Sequence, residues 1–366
     1  MHLELLQVSQ VRNLTAVTIT PGPNLNVLSG PNASGKTAIL ESIYLLARAR
    51  SFRTPRIQDV IQHGNKALQV RGEILQEKQG KITTGIEKRV GESKIRYNGE
   101  TIKSVSEQAR NIPLVLLTPD SHIIVSGSPT QRRHWLDWAM FHVEPDYLSN
   151  WKQYFKALRQ RNSLLKRGVS DRESYRGWER AMVESAAVLQ DSRADFIQIL
   201  SGLVKQLTGD FFPENIALKF DSGWSNVMSF ENSLKEAWGT DSETGFTRAG
   251  PHRADVRIMI ENNKLSSVFS RGQIKLFVCI LMLAQAKALY SKTGIKPVVL
   301  LDDFNAELDP VYSEYLLSLL YEENFQVFLT TTDTQSLQLT ADRCHWFHVK
   351  QGVVQSVSQQ TCSDIN

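Results

Sequence analysis

Gly30-Pro31-Asn32-Ala33-Ser34-Gly35-Lys36-Thr37 decides how the rest of this 366-residue chain is read. The octet fits the spacing G-x-x-x-x-G-K-[ST] of a phosphate-binding loop, the Walker A motif. Gly30 and Gly35 let the backbone curl so that successive amide N–H groups point inward at a phosphate chain. Lys36 stands at the mouth of a helix whose positive dipole end favours anions, within reach of β- and γ-phosphates. The Thr37 hydroxyl is a ligand for Mg²⁺. Leu25-Asn26-Val27-Leu28 reads as a buried strand before the loop, and Thr37 to Leu46 as an apolar-faced helix after it. A glycine-rich turn that binds nothing is the competing reading, and this strand–loop–helix context weighs against it. The octet predicts a nucleoside triphosphate site.

Two further stretches work outward from it. Pro297-Val298-Val299-Leu300-Leu301-Asp302-Asp303 is a continuous apolar run ending in two carboxylates, the composition of a strand buried on both faces. Asp302 is placed to hold Mg²⁺ through its water shell, and Asp303 to polarise an attacking water. A core strand capped by acids at its exposed end is the plainer alternative. Phe269-Ser270-Arg271-Gly272-Gln273 precedes a long apolar segment, Leu276 to Leu289. Ser270 suits an N-cap, Gly272 permits close backbone approach, and the helix offers a second positive dipole end. An ordinary Ser-capped core helix would explain Ser270 and the apolar run, though not the order of the motifs.

That order resembles ABC-type ATPases: Walker A, a long insertion, the signature Ser270-Arg271-Gly272-Gln273, Walker B, then Glu307-Leu308-Asp309, which is similar to the D-loop. The insertion between Thr37 and Ser270 resembles that of the SMC-like branch, but lacks the sustained heptads of a long coiled coil. Within that branch, Gly127-Ser128-Pro129, Arg132-Arg133, Gln160 to Lys166 and Gly250-Pro251-His252-Arg253-Ala254-Asp255 resemble the RecF family nearly end to end. The resemblance implies an α/β fold: an ABC-type P-loop ATPase head, with a mixed sheet and a flanking antiparallel sheet, plus an inserted mainly helical lobe. It implies ATP and Mg²⁺ as cofactors, with Gly30 to Thr37 and Ser270 to Gln273 contacting nucleotide and Thr37 and Asp302 the metal. Lys36, Asp303 and Ser270 become the catalytic residues, Ser270 acting on nucleotide held by a second copy in an ATP-closed homodimer. It further implies weak DNA-dependent hydrolysis, duplex, gapped or junction DNA as partner, RecO and RecR as co-workers, and help in loading recombinase.

The chain departs from the pattern in three places. Asp303 stands where many related ATPases carry Glu, and the missing methylene implies slow hydrolysis. The strand Gln326-Val327-Phe328-Leu329 ends in Thr330-Thr331-Thr332-Asp333 rather than a switch-loop His. No clear Gln follows Leu114–Leu117, so Asp120 or a neighbour stands in for the Q-loop. His252, in a polar turn-like setting, is expected near the nucleotide or the seam between subunits, whereas His63, His134 and His142 read as structural.

Composition bounds the rest. With 41% hydrophobic and 22% charged residues, the chain reads as an ordinary globular protein long enough for two domains. Leu276 to Ala284 is too short to span a bilayer, and no basic-then-apolar leader opens the chain, so a cytoplasmic protein is expected. Cys279, Cys344 and Cys362 cannot all pair and show no metal spacing. Periodicity predicts strands at 3–8, 15–20 and 25–29, an antiparallel block over 69–97 with a hairpin turn at Asn98-Gly99, and helices from Thr130 to about Gly209 broken near Pro145 and Gly168. Short strands are expected at 216–220, 256–260, 326–331, 344–349 and 353–357. Three blocks follow: 1–129 and 211–366 as the two parts of the head, and 130–210 as the helical lobe.

Charge is concentrated in that lobe. Residues 130–180 carry eleven Lys or Arg against six Asp or Glu, and Trp151 to Arg167 holds six basic residues and no acid. On a helix, Lys152, Lys156, Arg159 and Lys166 form one stripe beside the apolar stripe Trp151, Tyr154, Phe155, Leu158 and Leu165. The basic stripe is either a solvated face or a surface for DNA phosphates, with Arg132 and Arg133 joining it in the second case. Three functions remain open at this point: an ATP-driven DNA clamp, the energising subunit of a membrane transporter, and a scaffold that binds nucleotide with little hydrolysis. The long basic insertion argues against the transporter, while Asp303 and the missing switch His keep the scaffold in play.

Overall fold

The computed structural model describes residues 1–77, 80–102, 104–212, 216–225, 227–304, 308–333 and 344–357. The chain forms two compact units, one of residues 1–121 together with 271 onward, the other of 122–270.

The first unit holds a mixed sheet in the order Val353–Val357, Cys344–Lys350, Leu25–Ser29, Val327–Thr331, Val298–Leu301, Leu114–Leu117. Neighbours run parallel except for the terminal hairpin. The three central strands are buried at every residue, which is why their sequences are unbroken apolar runs rather than alternating ones. An antiparallel sheet joins Leu14–Ile19, His2–Val11, Ala67–Gln76, Gly80–Arg89, Glu92–Tyr97 and Glu100–Ile102 in that order. Here burial alternates, so one face packs inward and the other is open to water. Asn98 (φ 49°) and Gly99 (φ 85°) form the expected tight turn, both left-handed as a type I′ hairpin requires.

The P-loop helix, Lys36–Arg48, packs against strands of both sheets and joins Leu6, Val8, Ile39, Ile43, Leu300 and Phe328 in one core. The signature helix, Arg271–Thr293, is longer than its apolar run suggested and could cross a membrane by length and composition alone. However, 83% of its apolar window is buried inside the protein, against Leu114–Leu117 and the helix Pro310–Glu322. Cys279 lies in that buried run, and the same burial pushes its thiol up to about 12, so it is an inert core residue. Cys362 lies outside the described residues.

The second unit is built on the helices Pro129–Val143, Tyr147–Lys166 and Glu173–Thr208. Its limits differ from the expected 130–210. Residues 216–221, expected in the head, pair with Asp255–Ile260, and these two strands pack on the long helix and on Pro129–Val143 respectively. The stretch 211–270 therefore folds with the helices.

Several motifs that carried the family resemblance serve as its framework. Ser128 donates its backbone N–H to the Gln131 side chain (2.6 Å) and Pro129 opens the helix, which accounts for Gly-Ser-Pro. Arg161, fully buried, donates to Glu179 (3.0 Å), Asp241 (2.8 Å) and Thr247 (2.7 Å). Arg193, also buried, donates to Asp137 (2.6 Å), Tyr147 (2.7 Å) and the Pro251 carbonyl (2.9 Å). Removing either guanidinium would strand buried carboxylate charge.

His252 sits in this network. Its Nε2 lies 3.0 Å from the Thr247 carbonyl, which can only accept, so Nε2 carries the proton. Nδ1 then accepts from the Tyr154 hydroxyl at 2.7 Å. Burial, reinforced by the charges of Arg253, Arg133 and Arg161, pushes the imidazole down to about 4 against the one raising contact with Thr247. The unfolded chain therefore takes up a proton between about pH 6.5 and 4 that the folded chain refuses, and stability falls as pH drops through that window. Urea unfolding at pH 7 and 4.5 should show the wild type losing more stability than His252→Gln. The expected difference is on the order of 2 kcal/mol, discounted for partial exposure. Equal losses would mean that His252 does not titrate there.

Candidate nucleotide-binding site

Gly30 (φ 146°) and Gly35 (φ 119°) hold the backbone conformations that only glycine adopts easily. A Cβ on Gly30 would come within 2.1 Å of the Val349 carbonyl oxygen, so the loop is pressed against the C-terminal hairpin. The Gly352 N–H donates to the Ser34 carbonyl (2.8 Å), and the Asn13 amide donates to the same oxygen (3.1 Å) and to that of Ala33 (3.3 Å). Lys36 folds back over the loop and donates to the Gly30 (2.6 Å) and Pro31 (2.8 Å) carbonyls. Burial pushes its ammonium below the usual value, while the carboxylates of Asp303 and Asp302 pull it back up.

Three strands bring the acidic end of the site together. Thr37 follows the strand Leu25–Ser29, Asp302 follows Val298–Leu301, and Thr330 lies on Val327–Thr331 between them. The Thr37 and Thr330 hydroxyls both donate to Asp302 Oδ1, at 2.9 and 2.8 Å. Thr330 Oγ1 also accepts the Asp303 backbone N–H (2.8 Å), and Asp303 takes a left-handed φ of 54°. Burial raises the Asp302 carboxyl above its usual range and the two hydroxyls oppose that shift. One threonine thus ties the Asp302 carboxylate and the Asp303 backbone to the sheet.

The cleft these residues line has a volume of about 540 Å³. Asn32 to Thr37, Asp302, Asp303, Thr330 and Thr332 face it, whereas Gly30 and Pro31 contribute the carbonyls that hold Lys36. Sequence reading missed Arg12, Asn13 and Arg53, which also line it. Arg12 makes two 2.9 Å bonds to the buried Glu41 and a further one to the Asp59 carbonyl. Arg53 is exposed, and its charge lowers the proton affinity of Asp302. The only signal in the chain was the polar two-residue turn Arg12-Asn13 between Val11 and Leu14, which are paired in the sheet.

The remaining predicted residues lie elsewhere. Arg271, Gly272 and Gln273 form the first turn of the signature helix and do not line the cleft, although they belong to the same unit. Ser270, exposed, is the last residue of the second unit. Glu307 lies outside the described residues, while Asp309 caps the helix Pro310–Glu322 by accepting the Val311 N–H (2.9 Å). Pro119 lines the cleft, whereas Asp120 is exposed beside it. His252 belongs to the framework of the second unit rather than to the nucleotide cleft.

Of the basic residues in the second unit, Arg132 is engaged by both oxygens of Asp255 (2.7 and 3.0 Å) and by the Gly127 carbonyl. Arg133 donates to the Ala254 carbonyl (2.7 Å) and to Thr130. Both guanidiniums are committed within the fold. Lys152, Lys156 and Arg159 are exposed on one helix face, and Lys166 lies 4.5 Å above the Phe246 ring. The inward stripe is as expected for Tyr154, Leu158 and Leu165, with Trp151 and Phe155 half-buried.

The chain from residue 2 to 355 matches the RecF/RecN/SMC N-terminal domain. The DNA replication and repair protein RecF of Pseudomonas fluorescens is 38% identical over 357 residues, covering 96% of this chain and 97% of that protein. The chain belongs to the RecF family. RecF of Vibrio vulnificus is 37% identical over 97% of this chain and 99% of its own length. A solved structure of the recombination mediator protein RecF with ATP, from the RecFOR pathway, superposes with a TM-score of 0.85 at 26% identity over 98% of both chains. An Smc head bound to the C-terminal winged-helix domain of ScpA gives a TM-score of 0.58 at 16% identity, a likeness of fold alone. The α/β class and the ABC-type ATPase head expected from the motifs are thus those of RecF and SMC heads.

The residues of this RecF-family cleft suit a magnesium–nucleotide complex. Ser34 Oγ, inside the loop, is buried with no hydrogen-bond partner among the described residues. Neither loop glycine has room for a side chain: a Cβ on Gly30 would meet the Val349 carbonyl and one on Gly35 would lie 3.0 Å from Leu14, so the tight curl depends on both. The Thr37 hydroxyl and Asp302 carboxylate form an all-oxygen pair, the hard-donor chemistry Mg²⁺ takes when phosphates complete its shell.

Proposed function

We propose that this chain is an ATPase of recombinational DNA repair and replication, a cytoplasmic protein that ATP closes into a homodimer on DNA. The observation that carries the reading is the Thr37–Asp302–Thr330 hydrogen-bonded set facing a glycine cradle, in a chain whose relatives are RecF proteins, one of them solved with ATP. The P-loop amides bind the phosphate chain, with Lys36 leaving its two carbonyls to reach the β- and γ-oxygens. Thr37 and Asp302 would hold Mg²⁺, which would supply positive charge to neutralise the phosphate oxygens. Asp303 accepts a proton from water, and its short side chain makes that step slow. Ser270 to Gln273 of one copy complete the site of the other, in keeping with the absence of Arg271, Gly272 and Gln273 from the cleft of their own unit.

Duplex, gapped or junction DNA is held through phosphates by Lys152, Lys156 and Arg159, with Lys166 contributing. RecR and RecO are the protein partners by family, and the outcome is help in loading recombinase. Replacing Lys152, Lys156 and Arg159 together by Gln should make the salt dependence of duplex binding shallower by about 2.7 in log–log slope, at 0.9 per phosphate contact. An unchanged slope would reduce this face to a solvated one.

The reading is tested by ATP hydrolysis per protein over a concentration series, with and without duplex DNA. A specific activity that climbs with both is expected from composite sites closed on DNA. A flat, DNA-indifferent rate would favour independent chains or a nucleotide-stabilised scaffold.

A further inference from the structure

We infer a second contact surface for duplex DNA, a phosphate-binding groove on the open face of the antiparallel sheet, floored by Gly85 and flanked by Arg71 and Arg96. The inference rests on the DNA-binding reading above and concerns a different unit from the basic helix. Arg71 pairs with Gly85 across one strand boundary, and Gly85 pairs with Arg96 across the next. The two arginines therefore stand in one cross-strand row, their Cα atoms about 10 Å apart by two strand spacings. Both are exposed, and neither has a hydrogen-bond or ion-pair partner among the described residues. Between them lies a concavity of about 420 Å³, also lined by Gln69, Thr83 and Lys94. The one acid in its lining, Glu87, is engaged by Arg89 (2.8 Å) and Gln69 (3.3 Å), leaving the groove electropositive.

Gly85 is the telling residue. A glycine inside a strand weakens it, and its usual reason is close packing or the approach of another molecule. Gly72, one strand away, has the packing reason: a Cβ there would lie 2.6 Å from Leu46 and 2.9 Å from Leu3. At Gly85 a Cβ would meet nothing closer than the Val70 carbonyl oxygen at 3.6 Å, and its φ is not left-handed. The fold tolerates a side chain there, so the gap is accounted for by what enters it.

The lining favours a nucleic-acid backbone. Guanidinium forks match phosphate oxygens in pairs. The groove lies in the face of the sheet, where the strand backbones are already paired on both sides, so a peptide could not add as a strand. The groove has no aromatic ring for stacking bases, which points to duplex rather than single-stranded DNA.

Duplex binding by the full chain with ATP, titrated from low to high salt, tests this with Arg71→Ala/Arg96→Ala and Gly85→Val. Two lost phosphate contacts should reduce the log–log salt slope by about 1.8 and weaken binding about tenfold near 0.1 M salt. Gly85→Val should also weaken DNA binding while ATP binding stays at the wild-type value and the melting temperature stays at or above it. If the arginine pair leaves the slope unchanged while the helix triple variant lowers it, the groove is overturned and the DNA reading stands. Full DNA affinity in Gly85→Val overturns it as well. Absence of duplex binding by the wild type at low salt would overturn both. A groove that binds poly-glutamate through Arg71 and Arg96, with DNA binding intact, would be a protein site and the inference wrong.

Discussion

Asp303→Asn should bind ATP as well as or better than the wild type and hydrolyse it roughly a hundred-fold more slowly, the lower end of what a positioned general base supplies. The two effects separate because Asp303 faces the cleft but holds no part of the loop. Its side chain lies in the electrostatic reach of Lys36, and its backbone N–H is fixed by Thr330 whatever the side chain. Replacing a carboxylate by an amide removes repulsion toward phosphate oxygens, so affinity does not fall. Only the capacity to accept a proton is lost. A fluorescent ATP analogue measures the first quantity and phosphate release the second. Hydrolysis at the wild-type rate would move the base elsewhere, and hydrolysis undetectable even in the wild type would favour a scaffold.

Ser270→Arg should abolish hydrolysis about as fully as Lys36→Ala, and an equal mixture of the two inactive proteins should recover up to about a quarter of wild-type activity. That figure follows from two-fold symmetry. Random pairing makes half the dimers mixed, and each mixed dimer has one site with an intact P-loop from one chain and an intact signature from the other. The bulk of Arg blocks the backbone approach that Gly272 permits. No recovery on mixing, with both variants folded and ATP still bound by Ser270→Arg, would place Ser270 in a site within its own chain. Normal hydrolysis by Ser270→Arg alone would remove it from catalysis.

Residues that act through neighbours in sequence were readable before the structure. The P-loop octet carries its own backbone requirement in Gly30 and Gly35. Pro297 to Asp303 declares a doubly buried strand and its acidic end in seven consecutive letters. Residues whose role comes from remote partners were not readable. Arg12 and Asn13 reach the cleft because a two-residue hairpin aims them there, and nothing local in Val11 to Leu14 says so. Arg132 and Arg133 look like free charges until Asp255 and the Ala254 carbonyl are brought against them. His252 has the polar, turn-like setting of a residue at the nucleotide or the subunit seam, yet its partners are a buried tyrosine and a carbonyl. The block 211–270 changed sides for the same reason, since a strand's allegiance is set by the strand it pairs with.

The clasp on the P-loop has a consequence for biosynthesis. Leu25–Ser29 lies between Val327–Thr331 and Cys344–Lys350, and the loop after it rests on Val349 and Gly352. An element made in the first tenth of translation thus waits for almost the last before its neighbours exist. The continuous unit 122–270 can fold on the ribosome in the meantime, as domains generally do. Competence to hold nucleotide is therefore acquired only when synthesis is nearly finished, and a prematurely terminated chain would carry the motif without the site.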